Sequence, residues 1–203
     1  MIIDVRHVPS KWRTRRRRWT SVTGIVLHQT SCQMGSLPSR WHKTRTRPGT
    51  AAHFGIARDG TVIRVHDLTW LTPHGHGFNA RCVGIELDGM YPGLIDDRRT
   101  FWKPKGSKAQ PMVPTPELVQ AALETIALIV GEVAEQGGTV LYLLAHRQSS
   151  AARRSDPGQA LWQAVALPAM RAHGLTDGGA GFRIGTGRGI PGEWDARCAG
   201  VGY

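Results

Sequence analysis

Residues 82–88 read CVGIELD, and their alternation decides the fold. Side chains of an extended strand point to opposite faces in turn, so Val83, Ile85 and Leu87 share one side while Glu86 and Asp88 share the other. A catalytic sheet needs a strand that turns a carboxylate away from its apolar side; an ordinary half-exposed strand has the same pattern. Residues 22–28, VTGIVLH, form a second strand, with Ile25 and Leu27 on one face and Val26 and His28 on the other. His53 to Arg58, Asp59-Gly60 and Thr61 to Val65 give a hairpin signal, because Asp-Gly between two alternating runs favours a tight primed turn. Thr139 to His146 carries another apolar strand that ends on a histidine.

Helical periodicity lies between and after these strands. Thr115 can cap a helix, Pro116 suits its first position and Glu117 favours the positive end of its dipole. Leu118, Ala122, Leu123, Ile126, Ile129, Val130 and Val133 supply a broad apolar face, and Gly137-Gly138 ends the run. A last helix is expected from about Gln159 to His173, stopped by Gly174. A short amphipathic segment is expected around residues 38–44, and a polar, basic surface loop over residues 96–114. Interleaved strands and helices with one hairpin predict an α/β fold: a mixed central β-sheet flanked by helices, in a single domain. The expected division is a basic N-terminal arm over residues 1–19, the main domain over 20–173, and a Gly-rich C-terminal extension over 174–203, lying on the surface or partly mobile.

The 203 residues are 40% hydrophobic, enough for a real core, and include seven tryptophans able to fill a core or line a cleft. The formal net charge is +11, which suits an anionic partner such as nucleic acid, a membrane or an acidic wall polymer. The densest basic run is Lys11 to Arg18, KWRTRRRR, readable either as a solvated arm or as a polyanion contact. No nucleic-acid recognition motif accompanies it, so nucleic acid is not the expected partner. Cys32, Cys82 and Cys198 show no CxxC spacing, which argues against a disulfide framework or a cysteine metal site. The N-terminus shows no apolar core of a signal peptide, and no apolar run approaches the ~20 residues of a membrane span. Synthesis in the cytoplasm is expected, with any extracellular target reached by another export route or by release. Oligomeric state is not legible.

Among nine histidines, His28 and His146 stand out because each ends an apolar strand pointing toward the same expected cleft. Asp156 follows His146 across a loop of small and basic residues, HRQSSAARRSD, long enough to turn back. Two histidines and an aspartate can hold zinc and leave its fourth position open, as catalytic sites do. Asp156-Pro157-Gly158 reads equally well as a turn.

The order GIVLHQT, AAHFGIARDGTV, HGHGFNARCVGIELDG, AHRQSSAARRSDPG resembles the zinc-dependent N-acetylmuramoyl-L-alanine amidases, the type 2 group that includes phage endolysins and peptidoglycan recognition proteins. The resemblance covers about residues 20 to 172. It implies a Zn²⁺ site formed by His28, His146 and Asp156, a catalytic carboxylate at Glu86, and a basic catalytic position at Arg154. It also implies substrate contacts from His53 on the hairpin, and from His74 and Asn79, a histidine preceding an asparagine by five. Two departures stand out. Ala52 occupies the place where some phage members carry a tyrosine, which leaves proton transfer to Glu86. Arg154 stands where lysine is usual; an arginine stays protonated and cannot serve as a general acid, so oxyanion stabilisation is the role left to it. The implied reaction is hydrolysis of the amide between N-acetylmuramic acid and L-alanine in peptidoglycan or muropeptides, in the setting of an antibacterial endolysin, an exported toxin or a wall-recycling enzyme. A non-catalytic peptidoglycan-recognition module is the alternative; retention of all three ligands argues against it.

Overall fold

The computed structural model describes residues 1–13, 15–31, 51–102, 108 and 110–203. The amphipathic segment expected at 38–44, with Cys32 and Trp41, lies outside the described residues. Among the described residues there are eight strands: β1 (Ile2–Asp4), β2 (Arg15–Arg16), β3 (Gly24–Gln29), β4 (Phe54–Ile56), β5 (Val62–Arg64), β6 (Trp70–Leu71), β7 (Cys82–Leu87) and β8 (Tyr142–Ala145). Six of them form one sheet in the order β1-β5-β4-β7-β3-β8. Only the β4–β5 hairpin pairs antiparallel within it, which makes the sheet mixed. Asp59-Gly60 makes the hairpin turn, with Gly60 at φ +82°, a conformation open to glycine at little steric cost. β2 and β6 pair separately as a short ribbon.

Helix α1 (Pro116–Glu135) starts where the sequence places it: the Thr115 hydroxyl accepts from the Leu118 amide, and proline stands at the first position. Its chain then exits through Gly137 at φ +75°, and the Gly138 amide donates to the Val133 carbonyl. The second helical stretch runs through α2 (Gln159–Leu161), a π-helical turn (Trp162–Ala166) and α3 (Leu167–His173). Leu118, Ala122, Ile126, Ile129 and Val133 of α1 join Leu161, Trp162 and Val165 against the Ile25, Leu27, Val83, Ile85 and Leu87 face of the sheet. Burial of such side chains contributes roughly 1.5–3 kcal/mol each. On the opposite face Val26, Cys82 and Leu144 pack with Phe78 in a smaller cluster, joined by Phe182 and Ile184 of the C-terminal segment.

Two expectations need correction. Residues 174–203 do not simply lie on the surface: Ile190, Trp194 and Cys198 are buried in the main core, and the Trp194 indole donates to the Gly93 carbonyl. The basic run is tied to the body at Arg17, while Lys11, Arg15, Arg16 and Arg18 are exposed. Arg17 donates to the carbonyls of Leu68 and Asn79, and its burial pulls the guanidinium down to about 10. Arg16 stacks its guanidinium 4.4 Å from the Trp70 ring centre. Among the described residues, no helix is long and apolar enough to cross a membrane.

Candidate metal centre and cleft

Parallel register places the key residues side by side. His28 on β3 is paired with Glu86 on β7, and Leu27 with Ala145, so His146, the first residue past β8, stands beside His28. Paired residues in a sheet share a face, so the alternation that buries Leu27 and Ile85 turns His28 and Glu86 toward the other side. His146 opens a 3-10 turn, His146–Gln148, from which the chain loops to Asp156.

His28 Nδ1 lies 2.9 Å from His146 Nδ1, and His146 Nδ1 lies 3.0 Å from Asp156 Oδ2. His28 Nδ1 is 3.9 Å from the same oxygen. All three residues are buried. The other Asp156 oxygen accepts from the Gln29 amide at 2.8 Å, which fixes the carboxylate. Burial pulls the His28 imidazole down to about 4, and the neighbouring His146 adds to this against the pull of Asp156. Burial pushes the Asp156 carboxyl up, but hydrogen bonds and charge from His146 and His28 outweigh it and hold the group well below the usual carboxylate range. Two imidazole nitrogens and one carboxylate oxygen that converge in this way fit a divalent metal of the zinc type.

The opposite ring nitrogens are also engaged, as metal-ligating histidines require. His28 Nε2 faces His74 Nδ1 at 3.2 Å, and His74 Nε2 faces the Cys82 carbonyl at 3.1 Å. His146 Nε2 faces His76 Nδ1 at 2.8 Å. The Asn79 side-chain oxygen accepts from the His74 and Gly75 amides, tying the loop that carries both imidazoles. His53 accepts at Nδ1 from the Gly84 amide and donates from Nε2 to the Trp70 carbonyl. Burial holds the imidazoles of His53 and His74 well below their ordinary range, aided by neighbouring imidazoles. His53 and His74 therefore sit beneath the centre, in contact with backbone and other imidazoles. Gly84 leaves room for this arrangement: a Cβ there would come 2.6 Å from His74 Nδ1.

A cleft of about 780 Å³ reaches the centre at Asp156 and is lined in part by Gln29, His76, Arg153, Arg154 and Tyr203. The Arg154 side chain is exposed on its wall, while the Arg154 carbonyl accepts from Arg147 at 2.7 Å. Arg147 is fully buried, with its guanidinium 5.0 Å from the Trp194 ring centre and 5.2 Å from that of Tyr203; burial pulls it down to about 10. The C-terminal segment thus props the loop between His146 and Asp156 from behind. Sequence reading missed His76 as part of the centre; the signal it offered was a histidine between two glycines, Gly75-His76-Gly77. Phe78 belongs to the smaller core cluster, and the Trp70 ring is engaged with Arg16.

With this geometry in hand, comparison with known proteins places the chain. The family model for N-acetylmuramoyl-L-alanine amidase, Amidase_2, matches residues 18–159, well over half of the sequence. The chain belongs to this amidase family. No curated protein matches it in sequence. Among solved structures, it is similar to the N-acetylmuramoyl-L-alanine amidase LysC from Clostridium intestinale URNW at 22% identity and a TM-score of 0.52, covering 86% of this chain and 98% of that one. Drosophila peptidoglycan recognition protein SA aligns at 20% identity and a TM-score of 0.51, over 79% of this chain and 87% of that one. A Drosophila PGRP-LB mutant in complex with tracheal cytotoxin aligns at 18% identity and a TM-score of 0.53, over 85% and 95%. At these identities the structural likeness establishes the fold.

Proposed function

We propose that this Amidase_2 protein is a zinc-dependent N-acetylmuramoyl-L-alanine amidase that hydrolyses the amide between N-acetylmuramic acid and L-alanine in peptidoglycan or its fragments. The observation that carries this reading is the convergence of His28 Nδ1, His146 Nδ1 and Asp156 Oδ2 beside a cleft that Asp156 lines, with Glu86 next to His28 in register. His28, His146 and Asp156 would hold the ion. Zinc bound there supplies a Lewis acid that polarises a carbonyl and acidifies water. Glu86 takes the proton from the attacking water and returns it to the leaving amine, which departs poorly as an anion; a positioned base of this kind typically contributes ~10²–10⁴-fold. Arg154, fixed in charge on the cleft wall, stabilises the oxyanion that develops at the carbonyl. The net charge of +11 favours encounter with anionic wall polymers and stem-peptide carboxylates.

The deciding experiment digests purified muropeptides with metal-loaded, chelator-stripped and zinc-restored protein, with products identified by mass spectrometry. Free stem peptide is expected only where zinc is present, and its release by fully stripped protein overturns the metal mechanism. A protein that contains no zinc, binds muropeptide and leaves it intact would instead be a recognition module. Parallel digestion of intact sacculi separates action on the bacterial wall, after export or release, from action on soluble fragments in the cytoplasm.

A further inference from the structure

Histidine can ligate a metal through Nδ1 only if its proton sits on Nε2, and a buried Nε2–H needs an acceptor. His146 meets that need through a residue outside the expected ligand set. Its Nδ1 faces Asp156 and His28, and its Nε2 faces His76 Nδ1 at 2.8 Å. His76 is exposed and lines the cleft, whereas His146 is buried.

The backbone reaches this position by an unusual route. His76 has φ +52°, in the left-handed region that side-chain-bearing residues seldom occupy. Gly75 precedes it and Gly77 follows it, and a Cβ on Gly77 would come 2.7 Å from Ile184 Cδ1, so the loop packs closely against the C-terminal segment. Asn79 holds the same loop by accepting from the His74 and Gly75 amides, while its own amide donates to the His76 carbonyl. A strained backbone held by several independent contacts points to a side chain whose placement matters.

We propose that His76 is a positioning residue for the metal centre: it accepts the Nε2–H of His146 and so holds that ring in the tautomer and orientation whose Nδ1 can ligate zinc. His74 occupies the equivalent place for His28. One loop, residues 74–79, therefore orients both histidine ligands, one from within the fold and one from the cleft. The inference rests on the zinc reading above.

The test is zinc affinity, measured by competition with a chromophoric chelator for wild type, His76→Ala, His76→Gly and His76→Asn. Loss of an orienting partner of this kind typically weakens binding by about 10–100-fold, the effect expected for His76→Ala. His76→Gly relaxes the left-handed backbone but removes the acceptor, so it should weaken zinc binding equally while the metal-free protein melts no lower than wild type. His76→Asn keeps an acceptor oxygen near the position of Nδ1 and tolerates the left-handed conformation, so it should restore most of the affinity. In zinc-loaded, ¹⁵N-histidine-labelled protein, the His146 Nε2 proton should be slow to exchange in wild type and fast in His76→Ala. Wild-type affinity in both His76→Ala and His76→Gly overturns the positioning role and leaves the amidase reading intact. Failure of the wild-type protein itself to bind zinc overturns both.

Discussion

The β3–β7 pair and the C-terminal segment both support the candidate centre, by different means. On β3 and β7 a regular alternation does two tasks at once: Ile25, Leu27, Val83 and Ile85 enter the core while His28 and Glu86 emerge opposite them. Position there follows from register, and one residue of slip would exchange the two faces. Residues 174–203 have no such repeat. They hold the His146–Asp156 loop through single anchors: Trp194 in the core, Arg147 stacked between Trp194 and Tyr203, and the Ile184 and Arg188 amides donating to the Gln148 and Arg147 carbonyls. A periodic support spreads its energy over many side chains; an anchored support concentrates it in a few. The two should therefore fail differently when cut.

The largest effect expected is chemical and falls on the periodic side. Glu86→Gln keeps the shape of the strand and removes the proton acceptor. Turnover of muropeptide should drop by about 10²–10⁴-fold, with zinc content and melting temperature unchanged. Full activity in this variant would show that the carboxylate placed by register is not the base.

On the anchored side the expected effect is on stability. Trp194→Ala removes a fully buried indole from the main core, together with its hydrogen bond to Gly93 and its contact with the Arg147 guanidinium. A loss of about 3–5 kcal/mol is expected for such a truncation, read as a lowered denaturation midpoint, and zinc affinity should fall with it because the ligand loop loses its prop. A loss below about 1 kcal/mol, within the range of ordinary surface substitutions, would mean that the segment only rests on the fold.

This contrast also explains what could be read from the sequence. The β3 and β7 strands, the Asp59-Gly60 turn and the Thr115-Pro116 start of α1 all carry local signals of period, turn chemistry or capping, and the structure contains them. The convergence of His28, His146 and Asp156 followed from the family resemblance more than from spacing, since a loop such as 147–155 can turn in many ways. The core role of Trp194 was hidden because a lone tryptophan in a Gly-rich stretch has no period. His76 was hidden because its importance lies in a hydrogen bond between two loops and in a left-handed backbone, neither of which leaves a repeat.

A third difference is pH-dependent and concerns the end of β7. Asp88 is fully buried, and one carboxylate oxygen accepts from the Thr30 hydroxyl at 3.2 Å. Burial pushes its carboxyl up to about 6 from an ordinary value of 3.8. The folded state therefore binds a proton more tightly than the unfolded chain, so stability falls as pH rises from about 4 to about 6 on this account. Asp88→Asn cannot ionise, and its stability relative to wild type should improve by up to about 3 kcal/mol between pH 4 and pH 7. Denaturant titrations of the metal-free proteins at both pH values check this; a constant difference would show that the buried carboxyl does not titrate in that window.

The smallest effect expected tests whether register alone is sufficient even on the regular side. Gly84 lies between Val83 and Ile85, and a Cβ there would meet His74 at 2.6 Å from Nδ1 and 2.7 Å from Cγ. That ring cannot easily retreat, because it is buried and bonded at one nitrogen to His28 and at the other to the Cys82 carbonyl. Gly84→Ala should cost about 1–3 kcal/mol, the usual range for overpacking. It should also weaken zinc binding, since the partner that orients His28 is displaced while every strand pairing remains. Wild-type zinc affinity in a destabilised Gly84→Ala protein would mean that His28 is held by its strand alone. Weakened affinity would show that the periodic support, like the anchored one, depends at the centre on a single well-placed neighbour.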